Sequence, residues 1–364
     1  MILFELPKSG YQFCLAFIER FDYLLFQTKN QERFELRIRD RKVLVTGAGG
    51  FVGSHLVEAL VKRGANVRAL IHYNSRNDWG MLEDVSKNIL NEIEVVAGDL
   101  KDADCIREAV RGQQVIFHLG ALIGIPYSYI NPRDVVDTNV NGTLNILTAA
   151  LDFDVEKVVH TSTSEIYGTA QYVPMDEKHP VNPQSPYAAS KLGADLLALS
   201  FHRSFDLPVG IVRPFNIYGP RQSARAVIPS VVTQALLKRK INLGSVSPTR
   251  DLTFVKDSAE GFIDFAECKK TTGEVVNLGS GLEVSINQMV TLISNRLGKK
   301  IQIQRERKRF RPEKSEVERL FSNSSKAKSL FGWHPKTDLK QGIERTISWF
   351  EKNLRSYKTD IYNI

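Results

Sequence analysis

Tyr187 and Lys191 stand four residues apart in Tyr187-Ala188-Ala189-Ser190-Lys191. They lie inside Pro186–Phe205, a stretch whose pattern predicts a helix. Positions i and i+4 share one helix face about one turn apart. An ammonium beside a phenol stabilises the phenolate and lowers the tyrosine pKa. Such a phenolate can take the proton of a substrate hydroxyl while a hydride leaves the carbon that bears it. The spacing alone is common, and an exposed Tyr and Lys on a helix would show it equally. A second segment, Thr161-Ser162-Thr163-Ser164-Glu165-Ile166-Tyr167-Gly168, closes an apolar run that reads as a parallel strand. Ligands of open α/β sheets bind at such carboxyl ends. There Thr163 can hydrogen-bond the same hydroxyl as Tyr187, and Glu165 sets a carboxylate beside it. A merely polar strand–loop junction is the plainer alternative.

Hydride chemistry needs an acceptor, and the chain carries a turn suited to one. In Thr46-Gly47-Ala48-Gly49-Gly50-Phe51-Val52-Gly53, glycines recur at 47, 50 and 53. The first bends the chain, the second lets backbone approach a pyrophosphate, and the third lets helix and strand pack closely. The pyrophosphate sits at a helix N-terminus, where free N–H groups and the dipole favour an anion. The triplet follows a strand and opens a helix, the context that makes it a dinucleotide signature rather than a tight turn. Gly47, Gly50, Phe51, Val52 and Gly53 are therefore cofactor candidates. An acidic residue about 20 positions on would hold the ribose of NAD. Here the second strand ends in Ile71-His72-Tyr73-Asn74-Ser75-Arg76, with no carboxylate before Asp78. Asn74 and Arg76 can accept a 2′-phosphate, which tilts the choice between NAD and NADP toward NADP. Asp99, after the third strand, suits the adenine edge or a turn.

These groups need a frame. From Lys42 onward short apolar strands alternate with helices: strands at Lys42–Thr46, Asn66–Ile71, Ile93–Ala97, Val115–Leu119, Lys157–Thr161 and Val209–Val212, with helices at Phe51–Lys62, Arg133–Leu151 and Pro186–Phe205. This alternation predicts an α/β, Rossmann-like, doubly wound parallel sheet covered on both faces. Beyond Pro214 the regularity breaks up. The expected organisation is an N-terminal extension at 1–40 and a dinucleotide-binding domain at 41–215. A smaller α/β substrate portion at 216–350 follows, interleaved with the last strands, and then a tail at 351–364.

Length and composition set the bounds. The 364 residues suffice for a substantial core. The net charge of +8 is compatible with nucleic acid, a membrane surface or a small anion. No Lys/Arg run interleaved with aromatics points to nucleic acid. Three cysteines far apart, Cys14, Cys105 and Cys268, form neither a disulfide framework nor a metal pair, which fits a reducing cytoplasm. The seven histidines are scattered, so no metal is expected. The opening forty residues are rich in Phe, Leu and Tyr but lack a signal-peptide pattern. Their charges interrupt them short of the roughly 20 apolar residues of a membrane span. They read as a loosely docked extension or as residues ahead of the natural start, with a peripheral amphipathic helix at Tyr11–Phe26 as the alternative.

TGAGGFVG at 46–53, HLGA at 118–121, TSTSEIYG at 161–168, SPYAASK at 185–191 and RPFNIYGPRQ at 213–222 resemble the extended short-chain dehydrogenase/reductase family, over about residues 41–350. The longer stretches TSTSEIYGTAQYVPMDEKHP, QSPYAASKLGADLLALSFHRSF, RQSARAVIP, SPTRDLTFVKD and RPEKSEVERL are similar to the nucleotide-sugar 4,6-dehydratases of the legionaminic-acid pathway. The resemblance implies a tightly bound NAD or NADP and a nucleotide-sugar substrate carrying N-acetylglucosamine on uridine or guanosine diphosphate. It also implies a homodimer pairing through two helices of each copy. It adds Leu100, Leu119 and Ala121 to the cofactor site, and Asn216, Arg250 and Arg311 to the substrate site. In the implied cycle Tyr187, Lys191 and Thr163 drive oxidation at sugar C4. Glu165 then abstracts the C5 proton, and the C6 hydroxyl leaves as water. Many of these dehydratases carry Asp-Glu where this chain has Ser164-Glu165, so the group that protonates the leaving hydroxyl is open. The same Ser-Glu pair resembles nucleotide-glucuronate decarboxylases, and a 4-epimerase is the third member of the set.

Overall fold

The computed structural model describes residues 36–359, 361 and 362. The candidate amphipathic helix at 11–26 and nearly all of the 1–40 extension lie outside them.

The first strand, β1 (Lys42–Thr46), is an apolar run buried from Val43 onward. It turns through glycines into α1 (Phe51–Lys62), whose end is followed by Gly64 in the left-handed region, where a side chain would be strained. Then come β2 (Asn66–His72), β3 (Ile93–Gly98), α2 (Ala103–Val110, capped by Asp102) and β4 (Val115–His118). They lead to α3 (Gly142–Asp152), β5 (Lys157–Thr161), α4 (Pro186–Phe205) and β6 (Val209–Pro214). The seven-stranded sheet has the order β10-β6-β5-β4-β1-β2-β3, every pair parallel, with β10 at Val275–Leu278. The expected doubly wound sheet is present. Its strand order reverses between β1 and β4, so their carboxyl ends open the crevice where such sheets bind ligands.

One face of the sheet buries Leu44, Ile116, Val158 and Ile211 against Ile106, Ile146, Leu147 and Ala198 of α2, α3 and α4. The other is covered by α1 and a helix at Val255–Glu267, which buries Phe262, Ile263 and Phe265.

After β6 the chain builds β7 (Asn216–Tyr218), α5 (Val227–Leu237), β8 (Lys240–Leu243) and β9 (Thr249–Phe254). It returns to the main sheet as β10 and leaves again through β11 (Glu283–Ser285), α6 (Ile286–Leu297) and β12 (Gln302–Arg305). The last long helix is α7 (Leu339–Asn353). A second core forms here from Ile228, Val232, Ile241, Val290, Ile293, Ile347 and Phe350. A boundary at 350/351 would fall inside α7.

One helix departs from expectation. The stretch 133–151 is a short helix at Pro132–Val136, a wider π-helical turn at Asp137–Asn141, and then α3. The cause is Asn139, which is fully buried. Its amide donates to the Leu122 carbonyl and the Ser190 hydroxyl, and its oxygen accepts from Leu122 N–H. The extra residue in the turn aims it inward. No described helix is long and apolar enough to cross a membrane.

Candidate active site

A cleft of about 1180 Å³ opens over the carboxyl ends of β1, β4, β5 and β6 and runs on to β8, α5 and the segment before Pro312.

At its floor, Gly47 has φ +68°, and a Cβ there would lie 2.8 Å from the Gly120 backbone. A Cβ on Gly53 would lie 2.2 Å from the Gly47 carbonyl oxygen. These are the close approaches that only glycine permits. Gly50 opens α1 with no side-chain cap, and no carboxylate occupies the first turn. The free N–H groups therefore fit an anion. Gly47, Gly50, Phe51, Val52, Gly53, Leu119 and Ala121 all line the cleft.

The adenosine end differs from the sequence reading in detail. Asn74 lines the cleft, but its side chain is engaged in its own loop. Its oxygen accepts from the N–H groups of Arg76 and Asp78, and its amide donates to the Asp78 carbonyl. The Arg76 side chain is 84% exposed at the rim, 3.6 Å from Asp78. Asp99 and Leu100 are not among the lining residues. The Asp99 carboxylate accepts from Lys101 N–H, the turn-forming role an Asp after a strand commonly takes. Leu100 packs under Gly120 and Gly142 instead. Sequence reasoning missed Trp79. It reaches the cleft because Met81 N–H donates to the Gly49 carbonyl, folding the loop after β2 onto the glycine turn.

The candidate reacting groups lie in the middle. The loop after β5 forms one helical turn, Ser164–Tyr167, capped by Thr163, whose hydroxyl accepts from Glu165 N–H at 3.2 Å. Thr163, Ser164 and Glu165 are all buried and line the cleft. Across from them α4 begins with Ser185 accepting from Ala188 N–H and Pro186 in the first turn. Tyr187 and Lys191 are buried on its inner face. Burial pushes the Tyr187 phenol well up, Glu165 and Asp195 add to the rise, and a hydrogen bond from Thr163 opposes it. Burial brings Lys191 down to about 8, against the pull of Asp195. Desolvation is the largest influence on the phenol.

Behind these groups lies a polar cluster that the sequence did not disclose. Asp195, one turn beyond Lys191, is wholly buried. It accepts from the Ser162 hydroxyl at 2.7 Å and from Arg213 Nε at 3.1 Å, and it lies 3.3 Å from His160. Thr46 accepts from Gly120 N–H and hydrogen-bonds His118, which reaches Thr143. Burial holds His118 well below the ordinary histidine range.

On the substrate side, Arg250 from β9 and Arg311 converge on Glu316, at 3.3 and 3.5 Å. Arg311 also lies 4.0 Å from Glu165. Asn216 lines the cleft, and its side-chain oxygen is buried with no hydrogen-bond partner, as is the Thr161 hydroxyl. Orphaned polar atoms in a cleft call for a polar ligand. Of the basic residues between 299 and 311, Lys299 caps α5 through the Ala235 and Leu236 carbonyls, and Lys308 and Arg309 pair with Glu306. No cluster of His, Cys, Asp or Glu suited to a metal occurs among the described residues.

The family model of GDP-mannose 4,6 dehydratase matches residues 44–346. A putative UDP-glucose 4-epimerase of Methanocaldococcus jannaschii is 33% identical over 86% of this chain and 100% of its own. A dTDP-glucose 4,6-dehydratase of Streptomyces antibioticus is 33% identical over 85% of this chain and 92% of its own. Among solved structures, the dTDP-glucose 4,6-dehydratase of Streptomyces venezuelae, with NAD bound, superposes with a TM-score of 0.77 at 29% identity, covering 87% of this chain and 99% of its own.

Proposed function

The chain belongs to the NAD-dependent epimerase/dehydratase family of extended short-chain dehydrogenases, whose members act on nucleotide sugars, and on that premise we propose that it is a 4,6-dehydratase of UDP- or GDP-N-acetylglucosamine. The observation that carries this reading is Glu165, a buried carboxylate two residues beyond Thr163 and in the same cleft as Tyr187. Epimerisation at C4 removes no proton from a neighbouring carbon, so it has no task for such a base.

Gly47, Gly50 and Gly53 with the α1 N-terminus would hold the dinucleotide, and Arg76 at the rim would meet a 2′-phosphate, which favours NADP over NAD. A bound nicotinamide supplies reversible two-electron redox chemistry. Tyr187 takes the proton of the C4 hydroxyl, while the Thr163 hydroxyl orients the same oxygen and the Lys191 ammonium offsets the phenolate charge. A ketone at C4 acidifies C5–H. Glu165 removes that proton, and the C6 hydroxyl departs as water. Ser164, buried in the same turn, would relay a proton to the leaving oxygen. Return of the hydride to C6 would leave a 4-keto-6-deoxy sugar. Asn216, Arg250 and Arg311 hold the sugar diphosphate, the arginines through geometry suited to phosphate oxygens. The enzyme works as a cytoplasmic homodimer.

Ser164 favours one second reading. A nucleotide-glucuronate decarboxylase forms the same C4 ketone, loses carbon dioxide from the β-keto acid and needs no acid for a C6 hydroxyl. Glu165→Gln tests the assigned base. The variant is expected to stop releasing water yet still oxidise C4 reversibly, seen as cofactor reduction at 340 nm. Full turnover by Glu165→Gln would remove Glu165 from the mechanism.

A further inference from the structure

The chain beyond α7 turns back toward the cleft. Tyr357 packs against Phe350 at a tilt and edge-on against Trp349, with ring centroids 4.9 and 5.8 Å apart, which anchors the start of the tail. Lys358, Thr359 and Ile361 then lie beside Ser230, Thr233 and Gln234 of α5, and Tyr362 reaches the main cleft, half-buried. The ring of Tyr362 meets the Arg309 guanidinium at 4.6 Å, a cation–π contact that fixes its orientation. Arg309 is itself held by Glu306, and its backbone abuts Gly244 so closely that a Cβ there would lie 2.3 Å from the Arg309 carbonyl oxygen. Two residues farther on stands Arg311, in the arginine pair assigned to the diphosphate. An aromatic ring and the arginine pair therefore line one cleft, and a ligand that would match both is a planar base attached to a diphosphate.

We propose that the C-terminal tail is part of the substrate site, with Tyr362, backed by Arg309, forming a stacking wall for the nucleobase of the nucleotide sugar. This inference rests on the nucleotide-sugar reading. Stacking accepts any base, so the wall supplies affinity, and groups elsewhere in the cleft choose uracil or guanine.

The test is calorimetric titration of the full chain with UDP, GDP and inorganic pyrophosphate, on the wild type, Tyr362→Ala and Tyr362→Phe. The wild type is expected to bind one of the two nucleotides. Tyr362→Ala should weaken that binding about tenfold or more, the scale of one base–aromatic stack. Tyr362→Phe should retain it, and pyrophosphate should bind all three proteins alike. Nucleotide affinity unchanged in Tyr362→Ala would overturn the proposal, as would an equal loss for pyrophosphate, which would mean that the tail shapes the arginine pair instead. A wild type that binds neither nucleotide would overturn both the proposal and the reading beneath it. Binding that survives Tyr362→Ala would overturn the proposal alone.

Discussion

Asp195 is a carboxylate with no access to water, and its neighbours explain why it is tolerated. Ser162 and Arg213 donate to it, His160 faces it, and Lys191 lies one turn away on the same helix. Arg213 in turn donates to the Tyr167 hydroxyl, which donates to Asn277 on β10. Removing one partner from such a buried set leaves uncompensated charge, at a cost of about 3–5 kcal/mol. Asp195→Asn should therefore lower stability by that order in denaturant melts. A curve superposing on the wild type would show that the cluster contributes nothing net. Tyr187, Lys191, Thr163 and Glu165 were legible in the sequence because their chemistry is packed into two short runs. Asp195 lies four residues past one of those runs, and its partners come from β5, the residue after it and β6, which only folding brings to it. Asp99 shows the opposite failure, since a carboxylate after a strand is as useful to a turn as to a ligand.

Helix and strand positions were legible to within a residue or two in the first half of the chain, because buried strands read as unbroken apolar runs and helix ends carry their own stops. The π-helical turn at Asp137–Asn141 was not, because nothing local requires it; the demand comes from Leu122 and Ser190. The segments after Pro214 were legible only as irregular, since β7 and β11 are short and pair with β9 across long separations. At this scale the proposed homodimer has a specific expression. Leu144 on α3 and Leu196 on α4 are 37% and 59% exposed, and Val136, in the short helix at Pro132–Val136, is 42% exposed. Large apolar side chains gathered on two packed helices suit an isologous contact with a second copy. Light scattering should give twice the chain mass for the wild type and a monomer for Leu196→Glu. A wild-type monomer would contradict the dimer.

Across the whole molecule, the main sheet lines the half of the cleft proposed for the dinucleotide, and the later segments line the half proposed for the substrate. The return of the chain to the sheet as β10 ties the two together. Arg250 and Arg311 lie 61 positions apart in sequence yet share Glu316, so their pairing could be expected only through family resemblance. The reach of Tyr362 into the cleft was not foreseen at all. The central claim concerns what leaves the sugar, and mass spectrometry reads that directly. Purified protein is incubated separately with UDP-N-acetylglucosamine, GDP-N-acetylglucosamine and UDP-glucuronate. The account predicts a product lighter by one water from one of the amino sugars, which also identifies the base. Loss of carbon dioxide from the glucuronate, or no change of mass with any of the three, would contradict it.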